Sequence, residues 1–125
     1  KLRIFPWNNS EVGPDDLNSH SVFVGHTGSI YSLQFSPNGT RLATGGYDGL
    51  VGLWDVRSMV CTSTISSRTK FIRSVSFTHD SNFVACCSEE DGIEIATADT
   101  GTVVGTVTMT QKNNNNNNNN STNNW

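Results

Sequence analysis

The chain is predicted to be all-β: about two and a half four-stranded antiparallel blades of a β-propeller, a fragment of an expected seven-blade ring. Three observations carry this. The segment from Gly25 to Asp55 matches the segment from Ser67 to Thr97 at a constant offset of 42 residues with no gap. Phe35 thus aligns with Phe77, Leu42 with Val84, Asp48 with Glu90 and Trp54 with Ala96. The first copy also opens on Gly25-His26 and closes on Trp54-Asp55, and a period of about 40–45 residues bounded in this way marks a propeller blade. Finally, short β-rich runs are punctuated by turn tripeptides such as Pro37-Asn38-Gly39 and Tyr47-Asp48-Gly49, as in an antiparallel meander.

Taken in order, Lys1–Phe5 aligns with the strand that ends at Trp54 and begins a partial blade over residues 1–24. Ser21–Val24 is its outer strand. Pro6–Ser19, rich in Asn, Asp, Pro and Gly, reads as a surface loop between them. The intact blade spans 25–66, with strands at Ile30–Ser36, Leu42–Gly46, Leu50–Val56 and Cys61–Ser66. Ile30, Leu33 and Phe35 are the larger apolar positions of its first strand. Gly49 supplies the positive φ of its tight turn. A second blade spans 67–112, with strands at Phe71–Thr78, Phe83–Ser88, Ile93–Thr97 and Thr102–Val107 and a last turn at Asp99-Thr100-Gly101. The segment 113–124 begins with eight consecutive Asn. It cannot bury apolar area, so it reads as a disordered low-complexity insertion between blades. Trp125 reads as the start of the interrupted strand.

With 125 residues the chain is too short for a closed ring, which needs about four blades or more. It begins without Met and stops after the Asn run, so it is expected to be a piece of a longer protein or an incomplete gene model. Net charge is −3 and the pI about 5.4. That balance lacks the basic excess of a phosphate-binding surface, so contact with RNA is expected to be at most indirect, through partner proteins. No apolar run approaches the ~18 residues of a membrane span. The three cysteines, Cys61, Cys86 and Cys87, are odd in number and show no C-x-x-C spacing. They read as free thiols of a reducing compartment, with Cys86 and Cys87 on opposite faces of one strand. No His and Cys spacing suits a metal, and no cofactor or small-molecule substrate is expected. Glu89-Glu90-Asp91 reads as a solvated acidic turn. Arg68, Lys70 and Arg73 interleave with Phe71 in the manner of a base-stacking patch, but three charges in an acidic chain read better as ordinary surface.

Gly25-His26, Thr44, Asp48 and Trp54-Asp55, at these spacings, resemble the WD-repeat (WD40) family. The resemblance implies a structural tetrad of His26, Thr44, Asp48 and Trp54. Asp48 would accept from the imidazole, the other ring nitrogen would accept from Thr44, and Thr44 would accept from the Trp54 indole. Histidine, aspartate and a hydroxyl also look like an acyl-transfer triad. However, the chain has no G-x-S-x-G, and Thr44 falls inside a strand, so no enzyme is expected. The second copy has Arg68, Cys86, Glu90 and Ala96 at the four positions, a degenerate blade. Partners of this family dock on the top face of the disc. The corresponding positions here are Ser29, Tyr31, Tyr47, Phe71, Arg73 and Glu89, which include the aromatic and arginine types that anchor interfaces.

A narrower likeness runs over Leu50–Thr102. VGLWDVRSMVCTSTI, Phe77–Asp80, Ala98-Asp99-Thr100-Gly101, and Ile93-Glu94-Ile95-Ala96 in place of a Trp-Asp ending are similar to the third subunits of THO/TREX complexes. That implies a nuclear, non-catalytic scaffold held by large helical protein subunits in co-transcriptional mRNA processing and nuclear export. The alternative is a WD-repeat adaptor of another assembly, nuclear or cytoplasmic: a ubiquitin-ligase substrate receptor, a chromatin subunit or a signalling scaffold.

Overall fold

The structure, a computed structural model, describes residues 2–4 and 21–108. The Pro6–Ser19 loop, the Asn run and Trp125 lie outside the described residues. Among the described residues the β-rich runs form ten strands. β1 (Leu2–Ile4) and β2 (Ser21–Phe23) pair antiparallel as a two-stranded sheet. β3 (Ile30–Phe35), β4 (Arg41–Gly46), β5 (Val51–Asp55) and β6 (Val60–Ile65) form one four-stranded antiparallel meander. β7 (Ile72–Phe77), β8 (Phe83–Ser88), β9 (Ile93–Thr97) and β10 (Val103–Val107) form the other. The partial propeller read from the sequence is therefore observed: two complete blades and a pair of strands.

The repeat extends to backbone detail. The first three strands of each blade start and stop at the same offset. A β-bulge falls between Ile30 and Ser32 in one blade and between Ile72 and Ser74 in the other. Strand ends differ from the sequence-based bounds by a residue or so where turns intervene. β6, for example, begins at Val60 because Met59 closes the preceding turn, its amide bonded to the Asp55 carbonyl at 2.8 Å with φ 57°.

The two blades pack face to face. Ala43, Val51, Leu53 and Ile65 of the first meet Ile72, Val75, Phe77, Val84, Cys86 and Ala96 of the second, all buried. Gly45 lets β4 cross β7 closely, since a Cβ there would lie 2.6 Å from Ile72 Cγ2. β7 is an edge strand, and two of its amides find acceptors on β3 side chains: Val75 N–H donates to Ser32 Oγ (3.1 Å) and Phe77 N–H to Gln34 Oε1 (2.8 Å). The first strands of the two blades thus run side by side. At the far ends of the sheets, Asn38 N–H donates to Ser81 Oγ (3.1 Å), and Arg41 pairs with Asp99.

Candidate functional site

Two arrangements stand out: a buried relay inside the first blade, and an exposed aromatic ledge across one edge of both blades. Strand pairing creates the first. Thr44 lies opposite Gly52 in the β4–β5 register, and Trp54 lies opposite Leu42 on the same face. His26 enters from the segment before β3. Its Nδ1 lies 3.0 and 3.1 Å from the two Asp48 carboxylate oxygens, and its Nε2 lies 2.8 Å from Thr44 Oγ1. Trp54 Nε1–H donates to the same hydroxyl at 2.9 Å. Asp48 also accepts from the backbone amides of Thr27 (3.0 Å) and Leu50 (3.2 Å). Burial pushes the Asp48 carboxyl up, but the bonds from His26, Leu50 and Thr27 outweigh it and hold the group below the usual carboxylate range. Thr44 is fully buried. As a donor to one neighbour and an acceptor from another, its oxygen is not poised to attack a substrate. The arrangement can brace a sheet; a nucleophile would need an exposed hydroxyl.

The second blade has a different set in the same place. Arg68, at the His26 position, has its Nη1 3.5 Å from Glu90 Oε2 and its Nε 3.3 Å from Glu94 Oε1. It also donates to the carbonyls of Asp91 and Gly92, each at 3.2 Å. Glu90 accepts from the Thr69 hydroxyl and, at 3.4 Å, from the Thr69 amide. The Thr69 hydroxyl is the largest influence holding its carboxyl below the ordinary range; Arg68 adds to it. One sequence-based reading is corrected here: the Arg68 side chain is largely buried in these ion pairs and is not ordinary surface, whereas Lys70 and Arg73 are exposed. The acidic turn faces solvent as expected, with Glu89 and Asp91 exposed, while Glu90 pairs with Arg68 and Glu89 with Arg73. Glu94, to which the sequence assigns no role beyond the altered strand ending, is the buried member of this group. The signal that could have found it is its alignment with Gly52. Cys86 is buried against it, and burial, aided by the Glu94 charge, pushes the thiol up to about 11, an inert state.

The ledge brings together all six positions expected to meet partners. Tyr31 and Tyr47 ring centroids lie 6.2 Å apart, edge to face. Phe71 lies 5.5 Å from Tyr31 and stacks on Tyr47 at 5.9 Å, so one aromatic group spans both blades. Ser29 supports it by accepting the Tyr47 amide at 2.8 Å. The Arg73 guanidinium sits 5.5 Å from the centre of the Phe71 ring and pairs with Glu89. Tyr31 and Tyr47 remain 56% and 62% exposed despite this stacking, which leaves two phenols facing solvent. Among the described residues no cluster of His, Cys, Asp and Glu suits a metal ion.

Comparison with known proteins agrees with this architecture. The family model "WD domain, G-beta repeat" matches residues 17–55 and 59–93. THO complex subunit 3 of Arabidopsis thaliana is 33% identical over 88 residues, covering 70% of this chain and 28% of that protein. WD repeat-containing protein AAC3 of Dictyostelium discoideum is 46% identical over 59 residues, 47% of this chain and 12% of that protein. Small ribosomal subunit protein RACK1 of Brassica napus is 33% identical over 84 residues, 67% of this chain and 25% of that protein. Among solved structures, the Cps50 (Swd1) β-propeller domain of Myceliophthora thermophila superposes with a TM-score of 0.61 at 21% identity, over 67% of this chain and 26% of that one. The chain thus spans between 12% and 28% of the length of each of these relatives. With blades, repeat and family model in agreement, the chain belongs to the WD40 repeat family.

Proposed function

We propose that the chain is part of a non-catalytic propeller scaffold that docks other protein subunits through the ledge of Tyr31, Tyr47 and Phe71 with its Arg73–Glu89 rim. The observation that carries this is the joining of aromatics from two blades into one group, in which Phe71 is half-buried and both tyrosines stay exposed. Clustered exposed aromatics beside an arginine are the residue types on which interface energy concentrates. Within that class, the reading best supported is a THO/TREX subunit, nuclear and acting in mRNA processing and export. Its support is the likeness to THO complex subunit 3 over 70% of the chain. The equal identity to RACK1 favours an adaptor of a different assembly as the second reading. In both, His26, Thr44, Asp48 and Trp54 serve as an internal brace.

The test is to tag the full-length protein in its own cells and purify it from nuclear and cytoplasmic extracts, with and without RNase. What remains bound in high salt is identified by mass spectrometry. Stoichiometric, RNase-resistant recovery of large helical THO subunits is expected. Recovery of ribosomal, ligase or chromatin subunits in their place would keep the scaffold and discard the THO assignment. Replacing Tyr31 and Tyr47 together by Ala should lower recovery of the main partner about tenfold or more, since buried aromatic anchors each contribute about 2 kcal/mol or more. Unchanged recovery would remove the ledge as the docking surface.

A further inference from the structure

We infer that the second blade has not lost its internal brace but carries a rewired one, in which Arg68, Glu90 and Glu94 form an ionic relay in place of the first blade's His26–Asp48–Thr44–Trp54 relay. The inference rests on the internal repeat and on space, and is independent of the proposed docking role.

In the first blade three glycines lie against the relay. A Cβ on Gly25 would sit 2.5 Å from the Trp54 indole. One on Gly46 would sit 2.4 Å from His26 Nδ1 and 2.5 Å from Asp48 Oδ1. One on Gly52 would sit 2.8 Å from Trp54 Nε1 and 2.9 Å from Thr44 Oγ1. No side chain fits at any of the three while the relay is present. Their equivalents in the second blade are Ser67, Ser88 and Glu94. All three carry side chains, and all three use them. Ser67 donates its hydroxyl to Glu94, Ser88 Oγ accepts the Glu90 amide at 3.1 Å, and Glu94 meets Arg68.

The exchange is possible because Ala96 replaces Trp54. Ala96 is fully buried opposite Val84 and has no indole to place, and the Glu94 carboxylate lies on the same side of the strand beside Cys86. Placement is kept while chemistry changes: the Arg68–Glu94 contact is an ion pair at 3.3 Å in which the buried Arg68 Nε makes no hydrogen bond, where the first blade has hydrogen bonds throughout. The Thr27 amide donates to Asp48 in one blade, and the Thr69 amide donates to Glu90 in the other. Imidazole joins carboxylate to hydroxyl in one; guanidinium joins carboxylate to carboxylate in the other. Arg68 also binds the carbonyls of Asp91 and Gly92, so it ties the segment leading to Phe71 to the turn that follows Glu89.

The test is peptide-resolved hydrogen–deuterium exchange on the full-length protein. Glu94→Gln keeps the shape and removes one charge facing a buried guanidinium. It is expected to speed exchange about tenfold in peptides covering 67–71 and 88–92. Ala96→Trp alone should speed it at least as much, because the indole and the Glu94 side chain need the same space. Adding Ser67→Gly, Arg68→His, Cys86→Thr, Ser88→Gly, Glu90→Asp and Glu94→Gly to Ala96→Trp transplants the first blade's set. That variant should regain about tenfold or more of the protection lost in Ala96→Trp, because the interactions within each set are cooperative. An unchanged exchange rate in Glu94→Gln, or a transplant no better protected than Ala96→Trp, overturns the inference.

Discussion

Thr44 makes no contact with solvent, and its hydroxyl joins an acceptor on His26 to a donor on Trp54. Thr44→Val keeps the shape and removes both bonds. It should destabilise the blade by about 2 kcal/mol or more, measured by chemical denaturation of the full-length protein, whereas Thr44→Ser should cost much less. Asp48 gives a pH signature. Its carboxyl is held below the ordinary value of 3.8, so its contribution is fully present above that value and lost as pH falls through the lower folded-state value. Asp48→Asn should therefore be less stable at neutral pH and show a shallower loss between about pH 4 and pH 2. An acid limb identical to wild type would contradict this. The relay partners could be named from sequence because each sits at a fixed distance from a repeat landmark. The same offset places Arg68 at the His26 position and Glu94 at the Gly52 position, but their pairing could not be named. Ile93-Glu94-Ile95 reads as ordinary alternation along a strand, and only the volume vacated on that strand at Ala96 makes room for a buried carboxylate.

Turns were legible where glycine marks them, as at Gly39, Gly49 and Gly101, and not where Met59 and Ser81 adopt the same left-handed conformation. Gly101 and Met59 occupy the same place in their blades, with φ 69° and 57° and the same bond back to the residue four earlier. Glycine tolerates that left-handed conformation, and methionine is strained in it. Met59→Gly should accordingly be neutral or stabilising by about 0.5 kcal/mol, the relief being partly offset by the freer unfolded chain. Gly101→Ala should destabilise by about 1 kcal/mol or more, because a Cβ there would also sit 3.1 Å from the Thr64 carbonyl oxygen. Thermal denaturation of matched variants would show the asymmetry. Ser81 is the equivalent of Gly39, with φ 63° against 72°. There the strain has a compensation, since the Ser81 hydroxyl accepts the Asn38 amide across the blade seam. Strand faces were legible as well: alternation places Val75 and Phe77 inward and Ser74 and Ser76 outward, as their burial shows.

Across the whole molecule, the two blades satisfy each other on one face only. Leu33 and Phe35, about half exposed, share the relay side of the first blade, and Ile93 and Val107 project from the opposite side of the second. A repeat array hides such faces by stacking. The segment 1–125 produced alone should be poorly soluble or only partly folded, and extension with adjoining blades should restore a soluble monomer. A sharp, cooperative thermal transition from the isolated segment, monomeric by light scattering, would contradict this. Repeat length and landmark residues made the ring architecture legible, while partner identity depends on surface chemistry that no periodicity encodes.

The three glycines packed against the Trp54 relay also constrain the route by which one kind of blade can turn into the other. A glutamate arriving at a Gly52-like position while the indole is in place meets a collision and an unpaired buried charge, a cost of several kcal/mol. Loss of the indole first leaves a cavity, also costly, but one that later side chains can fill. Substitutions on this path do not commute: the tryptophan must go before the carboxylate comes, and each later step makes return harder. In the second blade the Glu94 carboxylate stands with Ala96 and without an indole, the combination that this order of steps permits.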